Sequence, residues 1–332
     1  MIDVSTLISN GITQMVGPMA IFFTLLAIGL NIHFGYTGLL NFGQIGFALV
    51  GGYGMGISVH HFDLPLWAGV LVGIAAGVAL ALLLGLPTLR LRADYLAIVT
   101  IAAAEILRLI TRSTSMTEFS GGTQGLTGYG GGFRELSPFD NGRFYEFSGV
   151  RFLGQDLWSM CVGWTVVGLS LLLVYLLVRS PWGRVLKAIR EDEDAARALG
   201  KNVFAYKMQA LLLGGVFGAV GGIVYALTIQ SLTPEFYSPP LTFLAYVVLI
   251  IGGAGRVFGP AIGAMILVFV FSLTDNILRQ ATAGSHPLIT FIQRQDIGAI
   301  RFILVGVALV LLVVFRPQGI FGKKEDLLLD AR

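Results

Sequence analysis

The sequence predicts an all-α fold, a polytopic transmembrane helical bundle of about eight to ten spans with discontinuous helices among them. Three observations predict it. Hydrophobic residues make up 55% of the 332 and charged residues only 12%, against roughly 25% charged in a soluble domain. A chain with mean hydropathy +0.80 has too little polar surface for water, whereas in lipid apolar side chains are the correct exterior. The apolar residues are gathered into runs of about the 20 residues that one crossing needs. Glycine is abundant, at 44 residues, as membrane helices use it to bring backbones close together.

The runs, in order, are 12–30, 38–60 (glycine-rich and open to a break), 64–86, 93–110, 158–178 and 208–229. Two short runs follow, 241–253 and 260–273, split by a glycine-rich hinge, and 302–315 is the last. Read simply, these are about nine crossings. The segment before the first run has no Lys or Arg and no secretory signal pattern. The single cysteine, Cys161, lies in an apolar run and excludes an intrachain disulfide.

Loop charge sets the orientation. Segment 179–207 holds seven Lys or Arg: Arg179, Arg184, Lys187, Arg190, Arg197, Lys201 and Lys207. It is placed in the cytoplasm. The long glycine-rich loop 111–157 is slightly acidic and faces outside. Alternation then puts Arg90, Arg92, Arg256 and the tail 316–332, with Arg316, Lys323 and Lys324, inside. The N-terminus comes out outside. A net charge of +3 is too small and scattered to suggest nucleic acid as a partner. No internal repeat is evident.

Segment 180–210 reads as two short helices. Ser180-Pro181 opens the first. Asp192 caps the second, with Glu193 and Asp194 in its positive first turn and Gly200 as its stop. That second helix carries Ala195, Ala196 and Ala198 with Leu199. It is too short to stand alone in water, so it packs either on this chain's own spans or in a groove of a partner.

Polar residues inside the runs have two readings each. Glu105 lies well inside its run with Arg108 one turn on, either as an i,i+3 pair or as a pathway group. Asn31, Asn41 and Gln44 either bridge helices or offer donors to a zwitterion in transit. The break Gly252, Gly253, Ala254, Gly255 permits either tight packing or a turn of chain lining the path. Four histidines without carboxylate or thiol spacing suggest no metal site.

Segments 29–53, 89–110, 180–210, 250–264 and 315–322, taken in order, resemble the LivM-type permeases of branched-chain amino acid ABC importers, and the resemblance covers nearly the whole chain. It implies one permease domain over 1–332 in a bacterial plasma (inner) membrane, pairing with a second homologous permease above two ATP-binding subunits. A soluble binding protein would deliver leucine, isoleucine, valine or a related amino acid. Glu191 to Gly200, with Glu191, Asp192, Glu193, Ala195, Ala196, Leu199 and Gly200 as its contacts, would form the helix that touches the ATPase. The chain has no GxxxxGK[ST] loop, so it is expected to carry no cofactor itself, with ATP and Mg on the partner. Two alternatives stand beside this reading. One is the same architecture importing urea, amides or other amino acids. The other is an ion-coupled secondary carrier, which would need charge in several spans. An intramembrane enzyme would need paired catalytic groups at membrane depth, and no such pair is present.

Overall fold

The computed structural model describes residues 4–89, 93–140, 142–147 and 150–282, with scattered positions between 298 and 320. Arg90, Arg92, most of the expected run 302–315 and nearly all of the tail 316–332 lie outside the described residues.

In chain order the helices are α1 (Val4–Met15), α2 (Pro18–Leu30) running on through a π-helical turn (Asn31–Tyr36), α3 (Gln44–Phe62), α4 (Leu66–Thr88) and α5 (Ala93–Arg112). After them come short α6 (Thr117–Ser120) and α7 (Gly131–Glu135), then α8 (Gly154–Arg179), α9 (Pro181–Glu191), α10 (Glu193–Ala198), α11 (Val203–Ile229), α12 (Pro240–Gly252) and α13 (Gly259–Thr282). The strands are minor. β1 (Leu126–Thr127) pairs antiparallel with β4 (Ser231–Leu232), and β2 (Phe144–Phe147) with β3 (Val150–Leu153).

Five described helices are long and apolar enough to cross a membrane: Pro18–Tyr36, α4, α8, α11 and the Gly259–Gln280 stretch of α13. Three further expected runs are helices of another character. α3 carries Gln44, two histidines and five glycines, α5 carries Asp94, Glu105, Arg108 and Arg112, and α12 has only 13 residues. The first run differs from expectation, because 12–30 is broken at Gly17–Pro18. Proline disfavours the helical region for the residue before it, and Gly17 is extended (φ −76, ψ −179). The Trp164 indole donates to the carbonyl of Val16 freed at this break (2.8 Å).

α2, α3 and α11 form the buried centre, with α4, α8 and α13 outside them. Small residues set the spacing. Gly69, Gly73 and Gly77 lie four apart on α4; a Cβ on Gly73 would strike the carbonyl of Gly51 and the Ile223 side chain. On α11, Gly214, Gly218 and Gly222 form a second such row, and a Cβ on Gly222 would enter the backbone of Ala48. In lipid there is no hydrophobic drive between helices, so close van der Waals contact along such rows holds them together.

The bundle has two distinct ends. At one, β1 and β4 join the 111–157 loop to the start of the α11–α12 connection, and His61 contacts the carbonyl of Phe119 (3.0 Å). At the other, Arg179, Lys187, Arg190 and Arg256 gather around Tyr36 and Gly255. α8, at 26 residues, spans about 39 Å at ~1.5 Å per residue. Of the basic residues that loop charge assigned to one side, Arg179, Lys187, Arg190 and Arg256 share one end of the bundle; Arg90, Arg92, Arg316, Lys323 and Lys324 lie outside the described residues.

Gly222→Val should lower the melting temperature of the purified protein in detergent by overpacking, at a cost of about 1–3 kcal/mol or more. Gly168→Ala, where a Cβ meets nothing within 4 Å, should leave it unchanged. Equal melting of the two variants would remove the glycine rows from the account of packing.

Candidate functional site

α3 begins inside the bundle. Gln44 sits against Gly29, two turns before the end of the Pro18–Tyr36 helix, and donates to the carbonyl of Gly214 (2.9 Å). Gly214 is about 16 Å along α11 from Val203 at ~1.5 Å per residue. From Gln44 the helix runs to the β1–β4 end, where Gly56 abuts Leu232 and Leu126. α12 starts at the same depth, with Thr242 beside Ile45, and runs the opposite way to the basic end. Two helix N-termini, each carrying unpaired N–H groups and a partial positive charge, thus meet within the bundle.

Oxygen acceptors satisfy the start of α3. The Phe42 N–H donates to Thr100 Oγ1 (3.1 Å), Gly43 N–H to Asn41 Oδ1 (2.9 Å), and Ile45 N–H to Thr242 Oγ1 (3.1 Å). Asn41 N–H donates to the Tyr246 hydroxyl (3.2 Å), which donates in turn to the Asn41 carbonyl (3.0 Å). Thr100, Asn41, Gln44 and Thr242 are fully buried.

The amide of Asn41 reaches further. Its Nδ2 donates to Gln44 Oε1 (3.0 Å) and lies 3.1 Å from His33 Nδ1. With Nδ1 accepting, the ring proton is assigned to Nε2, which donates to the Leu211 carbonyl (3.2 Å). His33 belongs to the π-helical turn, and so does Asn31. Asn31 Nδ2 donates to the Arg256 carbonyl (2.8 Å), and its Oδ1 accepts from Gly255 N–H (2.8 Å). Asn41 therefore links Gln44 and His33 in one buried polar cluster, while Asn31, in the same π-helical turn as His33, ties that turn to the Gly255–Arg256 backbone. That histidine had no sequence signal beyond bordering a loop.

The glycine-rich break combines tight packing with a turn. α12 stops at Gly252, and α13 starts at Gly259 with their backbones in contact. Gly253 (φ 96) and Gly255 (φ 76) take left-handed conformations that side chains resist.

α9 and α10 close the basic end. Asp192 caps α10, accepting from Asp194 N–H and Ala195 N–H (2.9 Å each). Glu191 is the last residue of α9, not part of the second helix, because Asp192 is extended (φ −153, ψ 106) and separates the two. Ala196 is buried with Ile189 and Val203. Leu199 is 80% exposed, Ala195 and Ala198 are exposed beside it, and Gly200 (φ 77) has open space around it. Glu193 is tied to α11 by Lys207 and to its own helix by Arg197 (2.9 Å). Arg190 donates to the carbonyl of Gly35 in the π-helical turn (2.7 Å).

Glu105 is apart from this network. Arg108 grips both its oxygens (2.6 and 2.9 Å) and reaches Glu235 (3.1 Å), which also pairs with Arg112 (3.0 Å). Glu235 lies in the α11–α12 connection, so the ions join α5 to that loop at the end opposite the basic cluster. Among the described residues, no three His, Cys, Asp or Glu side chains are grouped to hold a metal ion.

Long apolar helices, small-residue rows and buried polar groups at two helix breaks define a multi-pass membrane protein. Residues 14–313 match the family described as branched-chain amino acid transport system / permease component, and the chain belongs to that family. It is 30% identical to the high-affinity branched-chain amino acid transport system permease protein LivM of Salmonella typhimurium, over 92% of this chain and 69% of that one. It is 29% identical to the Escherichia coli LivM over 95% and 71%. It is 32% identical to the nucleoside ABC transporter permease protein NupC of Lactococcus lactis over 35% of each. As a permease component, the chain is not an enzyme.

Asn41→Leu leaves three buried polar partners unpaired and should destabilise the protein by about 1–3 kcal/mol per orphaned group, read as a lower melting temperature. Glu105→Gln should leave transport and stability largely intact, since a partly exposed ion pair contributes ~1 kcal/mol or less. Complete loss of transport in a folded Glu105→Gln protein would make that carboxylate a pathway group instead.

Proposed function

We propose that this chain is one permease subunit of an ATP-driven, binding-protein-dependent importer of branched-chain amino acids in the bacterial plasma membrane. It pairs with a second homologous permease, above two ATP-binding subunits and below an extracytoplasmic binding protein. The relatives named LivM support the cargo. The exposed Ala195–Ala198–Leu199 face of α10 carries the coupling part of the reading, because the helix is capped and anchored yet shows its apolar side outward.

α10 then meets a groove of the ATP-binding subunit. Ala196, buried with Ile189 and Val203, passes displacement of α10 to α9. Arg190 passes it to Gly35, and Asn31, in the same π-helical turn, passes it to the Gly255–Arg256 backbone. A push from below thus reaches both the end of the first long helix and the α12–α13 break. Asn31, Asn41 and Gln44, with Gly252, Gly253 and Gly255 at the hinge, are the elements whose rearrangement opens the path. Nucleotide binding on the partner biases that equilibrium by its differential affinity for the two states.

A nucleoside, urea or amide cargo fits the same architecture, and the partial match to a nucleoside permease keeps nucleosides in view. Competition of unlabelled valine, guanosine and urea against leucine uptake in vesicles separates these cargoes.

Leu199→Asp and Ala195→Trp act on the exposed face without disturbing the buried Ala196. Both should abolish recovery of P-loop ATPase subunits with the tagged chain in mild detergent, while insertion and expression persist. Normal recovery and uptake in both variants would overturn the coupling assignment. Uptake by the chain alone, driven by an ion gradient without ATP, would replace it with a secondary carrier.

A further inference from the structure

At the basic end, α8, α9 and the α12–α13 turn enclose an open cavity of about 400 Å³. Three cations line it: Arg179 from the last turn of α8, Lys187 from α9, and Arg256 from the turn. Arg179 and Lys187 have no carboxylate within ion-pair distance among the described residues. Aromatic rings hold them instead. The Arg179 guanidinium lies 4.2 Å from the Tyr175 ring centre, and Lys187 Nζ lies 5.9 Å from that of Tyr36. Such stacking orients a cation without neutralising it.

The rest of the wall is apolar, with Val178, Val257, Phe258 and Ile262. The cavity also adjoins a lipid-type surface. Leu169, Leu172, Leu173 and Leu176 are all exposed on α8. At spacings of three and four they form one stripe that descends to Arg179. The positive charge therefore sits where a long apolar helix face ends, which is the level of the headgroups for a helix that crosses a membrane.

We propose that this cavity binds the headgroup of an anionic phospholipid, its phosphate among Arg179, Lys187 and Arg256 and its acyl chains along the leucine stripe of α8. A soluble phosphate shares the charge chemistry but makes no use of the stripe. The site stands whichever way the chain crosses the membrane, and it is independent of coupling to an ATPase.

The test is native mass spectrometry of the full chain in neutral detergent, titrated with dioleoyl phosphatidylglycerol or dioleoyl phosphatidylcholine. Phosphatidylglycerol should bind about tenfold more tightly, and excess inorganic phosphate should not displace it. Each cation removed should weaken it about fivefold, so Arg179→Gln/Lys187→Gln abolishes the preference. Arg184→Gln/Lys201→Gln, which removes the same charge from the same basic segment, should preserve it. Arg179→Lys should retain most of the binding, and Lys187→Gln alone, at an exposed position, should lose about fivefold. Equal affinity for the two lipids overturns the site. Equal loss in both double variants reduces it to diffuse surface charge. Displacement by inorganic phosphate makes it a soluble-anion pocket.

Discussion

A helix that begins within an apolar bundle presents N–H groups where no water can reach them, and each must find an oxygen from the protein itself. α3 begins that way at Gln44. Thr100 of α5, Thr242 and Tyr246 of α12, and Asn41 of the preceding turn supply the oxygens. The requirement fixes where α5 and α12 stand, since neither can move away without orphaning a buried donor. It also explains why threonine, tyrosine and amide side chains occur at the centre of so apolar a chain.

The glycine rows answer the same requirement from the other side. Gln44 reaches the Gly214 carbonyl only because Gly29 and Gly218 leave room for its amide, and Gly214 itself leaves room for the His33 ring. Gly35 leaves room for the Asn31 side chain and the Gly255 backbone. Polar groups at the breaks and glycines on the neighbouring helices are thus one arrangement, in which small residues let a buried amide approach a backbone carbonyl on another helix.

At the basic end the chain changes character. Arg190 turns inward to the π-helical turn, and Glu193 and Lys207 bind α10 to α11. Arg179 and Lys187 lie instead on aromatic rings at the edge of a cavity. One segment of seven basic residues therefore divides its work. Part of it fastens two short helices to the bundle, and part is left facing the surroundings. The outward apolar face of α10, with Leu199, stands on the fastened part.

The sequence by itself determined the membrane class, the helical fold and most of the helix positions, because hydropathy and run length act locally and in lipid leave few choices; the family came from the resemblance of its ordered segments. The sequence also determined the Asp192 cap, whose partners lie two and three residues away, and offered the Glu105–Arg108 pair at i,i+3 as one of two readings, which the structure shows formed. The break at Gly17–Pro18 was written in the sequence too, in a glycine before a proline. Only the tertiary structure decided that Asn41 ties His33 to Gln44, that Asn31 holds the Gly255–Arg256 backbone, that Thr242 caps a helix nearly 200 residues earlier, and that Glu235 joins Arg108. Apart from His33 and Gln44 beside Asn41, those partners are distant along the chain, and composition and periodicity carry no information about which distant groups a folded bundle brings to about 3 Å. The same reason applies to α10. Its sequence shows a small-residue face, but only packing determines that Ala196 turns inward while Ala195, Ala198 and Leu199 remain exposed.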